Sequence, residues 1–113
     1  MKKNEMIELL QSLDIPVNEG ESSVKNASIY PRIVFWDYIW EDIVASGETY
    51  TSKETYQISF FSRTSRHAKL LELREKLRNK KLYPIIYHEY IEDKGKDRCY
   101  YHSYFSLEVD VDE

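Results

Sequence analysis

Residues 2–13 place Met6, Leu9, Leu10 and Leu13 at i, i+3, i+4 and i+7, with polar residues between them. That spacing is one face of an amphipathic helix. Pro16 stops it, because proline supplies no backbone donor and its ring clashes with the preceding turn. The polar run VNEGESSVKNAS, residues 17–28, carries Gly20 and predicts a loop. The stretch YPRIVFWDYIWEDIVASGETY, residues 30–50, then concentrates two Trp, three Tyr and one Phe. A helix would gather Trp36, Ile39, Trp40 and Ile43 on one face, with Asp37, Glu41 and Asp42 away from it. A strand would put Val34, Trp36, Tyr38 and Trp40 on one face and Ile33, Phe35 and Ile39 on the other. Pro31 suits either start, and the aromatic and β-branched content predicts a strand through about residue 40. Ala45-Ser46-Gly47-Glu48 is a turn signal.

Further on, TYQISFFS alternates, with Tyr56, Ile58 and Phe60 facing one way and Gln57 and Ser59 the other. Thr64 or Ser65 is placed to cap a helix over roughly 66–80, whose buried stripe is Leu70, Leu73 and Leu77. Leu82 through Ile91 reads as a strand with Pro84 near its start, where a missing donor is tolerated. EDKGKD reads as a hairpin loop. The last strand alternates most cleanly. Tyr101, Phe105, Leu107, Val109 and Val111 take the core face, and Tyr100, His102, Tyr104, Glu108, Asp110 and Asp112 face water or a partner. The predicted order is helix, strand, strand, helix, strand, strand. It implies an α+β fold: a small antiparallel sheet from two β-hairpins, with the N-terminal and central helices on one face. The expected organisation is one domain over 1–113, divided into a helix and polar loop (1–30) and a sheet–helix–sheet core (31–113).

Composition narrows the function classes. The formal net charge is −4, against the basic balance of a dedicated nucleic-acid binder. The one cysteine, Cys99, excludes an internal disulfide framework and fits a reducing compartment. No apolar run is long enough to span a bilayer, and the N-terminus lacks a signal-peptide core. The expectation is a soluble protein of the cytoplasm. Aromatics make up 14% of the chain, Tyr foremost, which suits half-buried strands and interfaces.

Candidate chemistry is sparse. Cys99, His102 and the nearby His88 invite a metal site, but Cys99 and His102 are three apart on a predicted strand and point to opposite faces. Zinc needs about four converging ligands. The expected structural reading is a small buried Cys and an exposed His, with no metal and no cofactor. The same geometry argues against a Cys–His nucleophile pair. Glu89, Glu92 and Asp93 flank a charged loop, where solvated acids are expected. The three glycines form no phosphate-binding loop. The chain reads as non-enzymatic. Charge is unevenly spread: Arg63, Arg66, Lys69, Arg74, Lys76, Arg78, Lys80 and Lys81 are opposed only by Glu72 and Glu75 within 63–81, whereas Glu89–Glu113 holds eight acids against Lys94, Lys96 and Arg98. This is a solvated helix face and tail, a pair of complementary surfaces that register assembly, or a helix facing passing DNA without sequence readout.

PRIVFWDYIWEDIVASGETY, TYQISFFS, KLLELREKL and LYPIIYHEYIEDKGKDRCYYHSYFSLEV, in this order from about Pro31 onward, resemble the tail-terminator or head-to-tail joining proteins of long-tailed phages and prophages of Gram-positive bacteria. None of these runs is a catalytic motif. The resemblance implies a non-enzymatic virion assembly protein. It would form a homo-oligomeric ring, commonly a hexamer, that caps the tail tube, stops its polymerisation and docks it to the head connector. Its implied partners are itself, the tail tube protein and the head connector protein. DNA passes only as cargo, no membrane is involved, and the location is the virion after assembly in the host cytoplasm. The alternative is a phage-encoded protein-binding module, or a weak non-specific DNA binder using the basic 63–81 helix. The interface residues expected on either reading of the surface are Trp36, Tyr38, Trp40, Arg74, Arg78, Tyr100 and Tyr104.

Overall fold

The computed structural model describes residues 1–20, 29–44, 50–92 and 99–111. It is α+β: α1 (Lys3–Gln11), β1 (Val17–Glu19), β2 (Arg32–Val44), β3 (Tyr50–Ser62), α2 (Ala68–Asn79), β4 (Tyr87–Ile91) and β5 (Tyr100–Val111). The strands form one open sheet in the order β1-β2-β3-β5-β4. The pairs β2–β3, β3–β5 and β4–β5 are antiparallel. The short β1 runs parallel to β2, with Val17 opposite Ile33 and Glu19 opposite Phe35, so the sheet is mixed rather than purely antiparallel.

One side of the sheet holds the core. Ile33 and Phe35 of β2, Tyr56, Ile58 and Phe60 of β3, and Phe105, Leu107 and Val109 of β5 meet the stripes of both helices: Met6, Leu9 and Leu10 of α1, and Leu70, Leu73 and Leu77 of α2. Leu13, just past α1, completes the cluster. Each of these side chains is buried, and at roughly 1.5–3 kcal/mol per fully buried large apolar side chain this layer dominates the favourable side of folding.

Several local features depart from the sequence expectation. The predicted loop at 17–28 begins with β1, and residues 21–28 lie outside the described residues. α2 starts at Ala68 rather than 66, because His67 is the N-cap. Its Nδ1 accepts a hydrogen bond from the Lys69 backbone N–H at 3.0 Å, while Ser62 and Thr64 bond one another in the preceding turn. α2 ends in a Schellman arrangement. The Leu82 N–H bonds the Leu77 carbonyl at 2.9 Å, the Lys81 N–H bonds Arg78 at 2.8 Å, and Lys81 is left-handed at φ 61°. The strand expected from Leu82 is shorter and starts at Tyr87; the preceding segment includes Pro84, which has no N–H to donate to a ladder. The Ala45–Glu48 turn and most of the EDKGKD loop lie outside the described residues.

The largest correction lies in β2, which runs to Val44 rather than stopping near residue 40. Asp37 pairs with Tyr56 and Ile39 with Thr55, so Tyr38 is an extra residue, a β-bulge. Before the bulge the expected alternation is present, with Ile33 and Phe35 inward and Val34 and Trp36 outward. After it the phase reverses. Ile39 joins the outer face opposite Thr55, and Trp40 joins the helix-bearing side opposite Glu54. Trp36 and Trp40 therefore do not share a face, and Ile39 does not join Ile33 and Phe35.

The molecule is long, 58 × 27 × 23 Å, with a radius of gyration of 15.9 Å. A compact chain of this size has about 13 Å. β2 and β3 are the longest elements, each of 13 residues; the part of β2 beyond the bulge, with the β3 residues opposite it, forms an arm that β5 flanks as far as Ser52–Val111.

Candidate assembly surface

The outer side of the sheet carries neither helix. Its residues are set by strand alternation: Arg32, Val34 and Trp36 on β2, Ser59 and Phe61 on β3, Tyr100, His102, Tyr104 and Ser106 on β5, and Tyr87 and Glu89 on β4. The bulge adds Tyr38, whose hydroxyl crosses β3 to reach the Ser106 Oγ at 2.8 Å. Bulges re-aim side chains, and here the effect is to lay a tyrosine across the outer face.

The rings stack in a row. Phe61 and His102 lie 4.7 Å apart with planes 6° from parallel. His102 and Tyr104 are 4.8 Å apart, and Tyr104 and Tyr87 are 5.4 Å apart. Tyr100 meets Phe61 edge-on at 5.8 Å and lies 6.0 Å from Tyr30. Cations close one end of the row. The Arg32 guanidinium sits 4.7 Å from the Tyr30 ring and 4.6 Å from Phe61, and Arg63 sits 4.7 Å from Tyr30. Beneath these rings Val34 and Ser59 are buried although no helix lies over them.

His102 is the joint of this row. Its Nδ1 is 2.7 Å from Glu89 Oε1, and its Nε2 is 2.9 Å from Ser59 Oγ. The carboxylate only accepts, so Nδ1–H donates to Glu89 and, in the neutral ring, Nε2 accepts from the Ser59 hydroxyl. The side chain is thus enclosed rather than exposed as expected. Cys99 precedes β5 and is only half-buried, not the buried residue expected. The thiol beside Tyr90 is the main cause that pushes the Tyr90 phenol up to about 12. His88 bonds Ser103 at 2.7 Å.

Of the seven expected interface residues, the structure gathers four on the outer face: Trp36, Tyr38, Tyr100 and Tyr104. Trp40 stands on the other side of the sheet, 77% exposed, and its Nε1–H donates to the Asp37 carboxylate. Arg74 and Arg78 are exposed on α2, off its buried stripe. Sequence reasoning missed Arg32, Phe61 and Tyr87, and it placed His102 on the outer face without naming it among the interface residues. Phe61 carried a usable signal, since it breaks the TYQISFF alternation by placing an aromatic on the solvent side.

No protein-family profile and no curated protein matches the sequence. The fold does have a relative among solved structures. It resembles a tube terminator. The match is to the cryo-EM structure of the sheath/tube terminator of an extracellular contractile injection system, PVC, in its extended state, with a TM-score of 0.51 and 12% identity. It covers 97% of this chain and 55% of that one, so this chain spans little more than half the length of the terminator it matches. At that identity the likeness is one of fold.

Proposed function

We propose that this chain is a structural protein of a phage or phage-like tail, of the tail-terminator kind, that assembles into a ring ending the tail tube. The observation that carries this reading is the fold shared with a sheath/tube terminator along nearly the whole chain. The resemblance of its sequence runs to phage terminator and head-to-tail joining proteins points the same way. The aromatic outer face supports an assembly role: Trp36, Tyr38, Tyr100 and Tyr104 present a half-buried aromatic patch of the composition that interfaces favour. On this reading the partners are further copies of the chain, the tail tube protein and, on the opposite side of the ring, the head connector. The chain does no chemistry of its own, and its location is the assembled particle after a stage in the host cytoplasm.

The nucleic-acid alternative rests on the basic 63–81 helix and gains no support from the outer face. Proteins that stack bases offer free aromatic faces to them. Here Phe61, His102 and Tyr104 already stack on one another.

The test is assembly. Light scattering of the purified chain over a range of concentrations, followed by electron microscopy with a tail tube protein from the same genome, is expected to show rings that sit on tube ends and limit tube length. A chain that stays monomeric and leaves tube length unchanged overturns the reading.

A further inference from the structure

Two separated features of the molecule carry charges of opposite sign. The first is a pit of about 270 Å³ between α2 and the segment leading into β4. Leu70, Leu71, Pro84 and Ile86 make its apolar wall, and Arg66, Arg74 and His88 line it with no acid among them. Arg66 and Arg74 are exposed and make no ion pair among the described residues. Arg66 is fixed at φ 51°, in the turn that leads to the His67 cap. The second feature is the arm of β2 and β3. On its β2 strand Trp40 is 77% and Val44 76% exposed; Asp37 and Asp42 share the face of Trp40, Glu41 lies on the other face opposite Lys53, and no basic residue stands between Asp37 and Val44. On β3, Lys53 is drawn off toward Glu108 at 3.9 Å.

One copy cannot bring these features together. Trp40 pairs with Glu54, while the strand end that leads to the pit is Ser62, eight residues further along β3. At about 3.3 Å per residue that is roughly 26 Å of stiff, paired strand. We infer that the Trp40 arm of one copy seats in the Arg66–Arg74 pit of a second copy. Trp40 is the anchor between Leu70, Leu71 and Ile86, and Asp37 and Asp42, on the same face as Trp40, meet the two guanidiniums. A bulky aromatic that fills an apolar pocket rimmed by paired charges is the arrangement of an interface hot spot. Complementary charges on two separated surfaces give a head-to-tail contact. Such contacts close into rings or run on as fibres, so the inference rests on the ring-forming reading above and specifies how its copies join.

A charge swap tests it. Asp37→Lys with Asp42→Lys reverses the arm, and Arg66→Glu with Arg74→Glu reverses the pit. Asp42, Arg66 and Arg74 are exposed and Asp37 is half-buried, and circular dichroism checks that each variant keeps its fold. Each double variant alone is expected to self-associate at least about thirtyfold more weakly than the native chain, the scale of a hot-spot loss. Mixed one to one, the two are expected to assemble again, because each reversed arm then meets a reversed pit. Trp40→Ala should weaken assembly to a similar degree with an unchanged melting temperature. If the native chain assembles and either double variant does so equally well, or if the mixture stays monomeric, the contact is wrong while the ring reading stands. If the native chain is monomeric at every concentration, both fall.

Discussion

Trp36 and Trp40 stand four residues apart on β2, yet they face opposite sides of the sheet, because Tyr38 between them is an unpaired bulge residue. An even spacing on a regular strand would have put them on one face. Their environments differ accordingly: Trp36 is half-buried among outer-face neighbours, and Trp40 is almost free. Trp40→Phe, which leaves Trp36 as the reporter, should emit at shorter wavelength and resist acrylamide. Trp36→Phe, which leaves Trp40, should emit near free indole and quench readily. Measured on monomer at low concentration, equal quenching of the two variants would contradict the bulge. In urea titrations Trp40→Ala should stay within about 0.5 kcal/mol of the native chain, as exposed substitutions do. Trp36→Ala should cost more.

The bulge also marks the limit of what the sequence made legible. Period-two and period-four patterns located both helices, the inner faces of β3 and β5, and the outward Tyr100, His102 and Tyr104. They did so because one face of each element meets a continuous core and the other does not. β2 could not be phased in this way. Its apolar residues run through both faces, so inserting Tyr38 changes which face each later residue takes without leaving a break in the pattern. Asp37, inward opposite Tyr56, was the one discordant residue. β1 was missed because three residues, Val-Asn-Glu, carry no alternation, and their strand character comes from pairing with Ile33–Phe35. The His102 network was unreadable because it joins residues 59, 89 and 102 across three strands.

His102 should matter for stability without any metal. His102→Ala removes two hydrogen bonds and two stacking contacts, and it leaves the fully buried Ser59 hydroxyl without its histidine acceptor. A buried group stripped of a partner costs about 1–3 kcal/mol. His102→Phe keeps a ring between Phe61 and Tyr104 and loses only the hydrogen bonds, so its loss should be smaller. Chemical denaturation ranks the three proteins. A ranking in which the Phe variant is no better than the Ala variant would show that the stack adds nothing.

Lys81 offers a gain. It occupies the left-handed position that closes α2, at φ 61°, where a Cβ costs about 1–2 kcal/mol. Its side chain is exposed. Lys81→Gly keeps the Schellman hydrogen bonds, which are all backbone, and relieves that cost. Glycine also frees the unfolded chain, which returns part of the benefit. The expected net gain is about 0.5–1 kcal/mol, read as a higher urea midpoint at constant slope. An unchanged or lower midpoint would mean that the lysine side chain contributes at this site.

Tyr56 predicts how the fold responds to alkali. Burial is the main cause that pushes its phenol up to about 12. The hydrogen bond to Glu54, 2.9 Å away, adds to the rise, and Lys3 beside the ring opposes it. In the unfolded chain the phenol titrates near 10. Between about pH 10 and 12 the native state therefore holds a proton that the unfolded state has released, so stability falls as pH rises. The contribution is fully present below about pH 10 and is gone above about 12. One pKa unit is worth about 1.4 kcal/mol, so the two-unit gap amounts to roughly 2–3 kcal/mol across the window. The native curve alone does not isolate Tyr56; the Tyr56→Phe variant does. It keeps the ring against Phe35 and has no proton to lose. Urea unfolding of both proteins at pH 9 and pH 11.5 should show the native chain losing about 2 kcal/mol more than the variant. Parallel losses would mean that the Tyr56 phenol ionises in the folded state as readily as in the unfolded one.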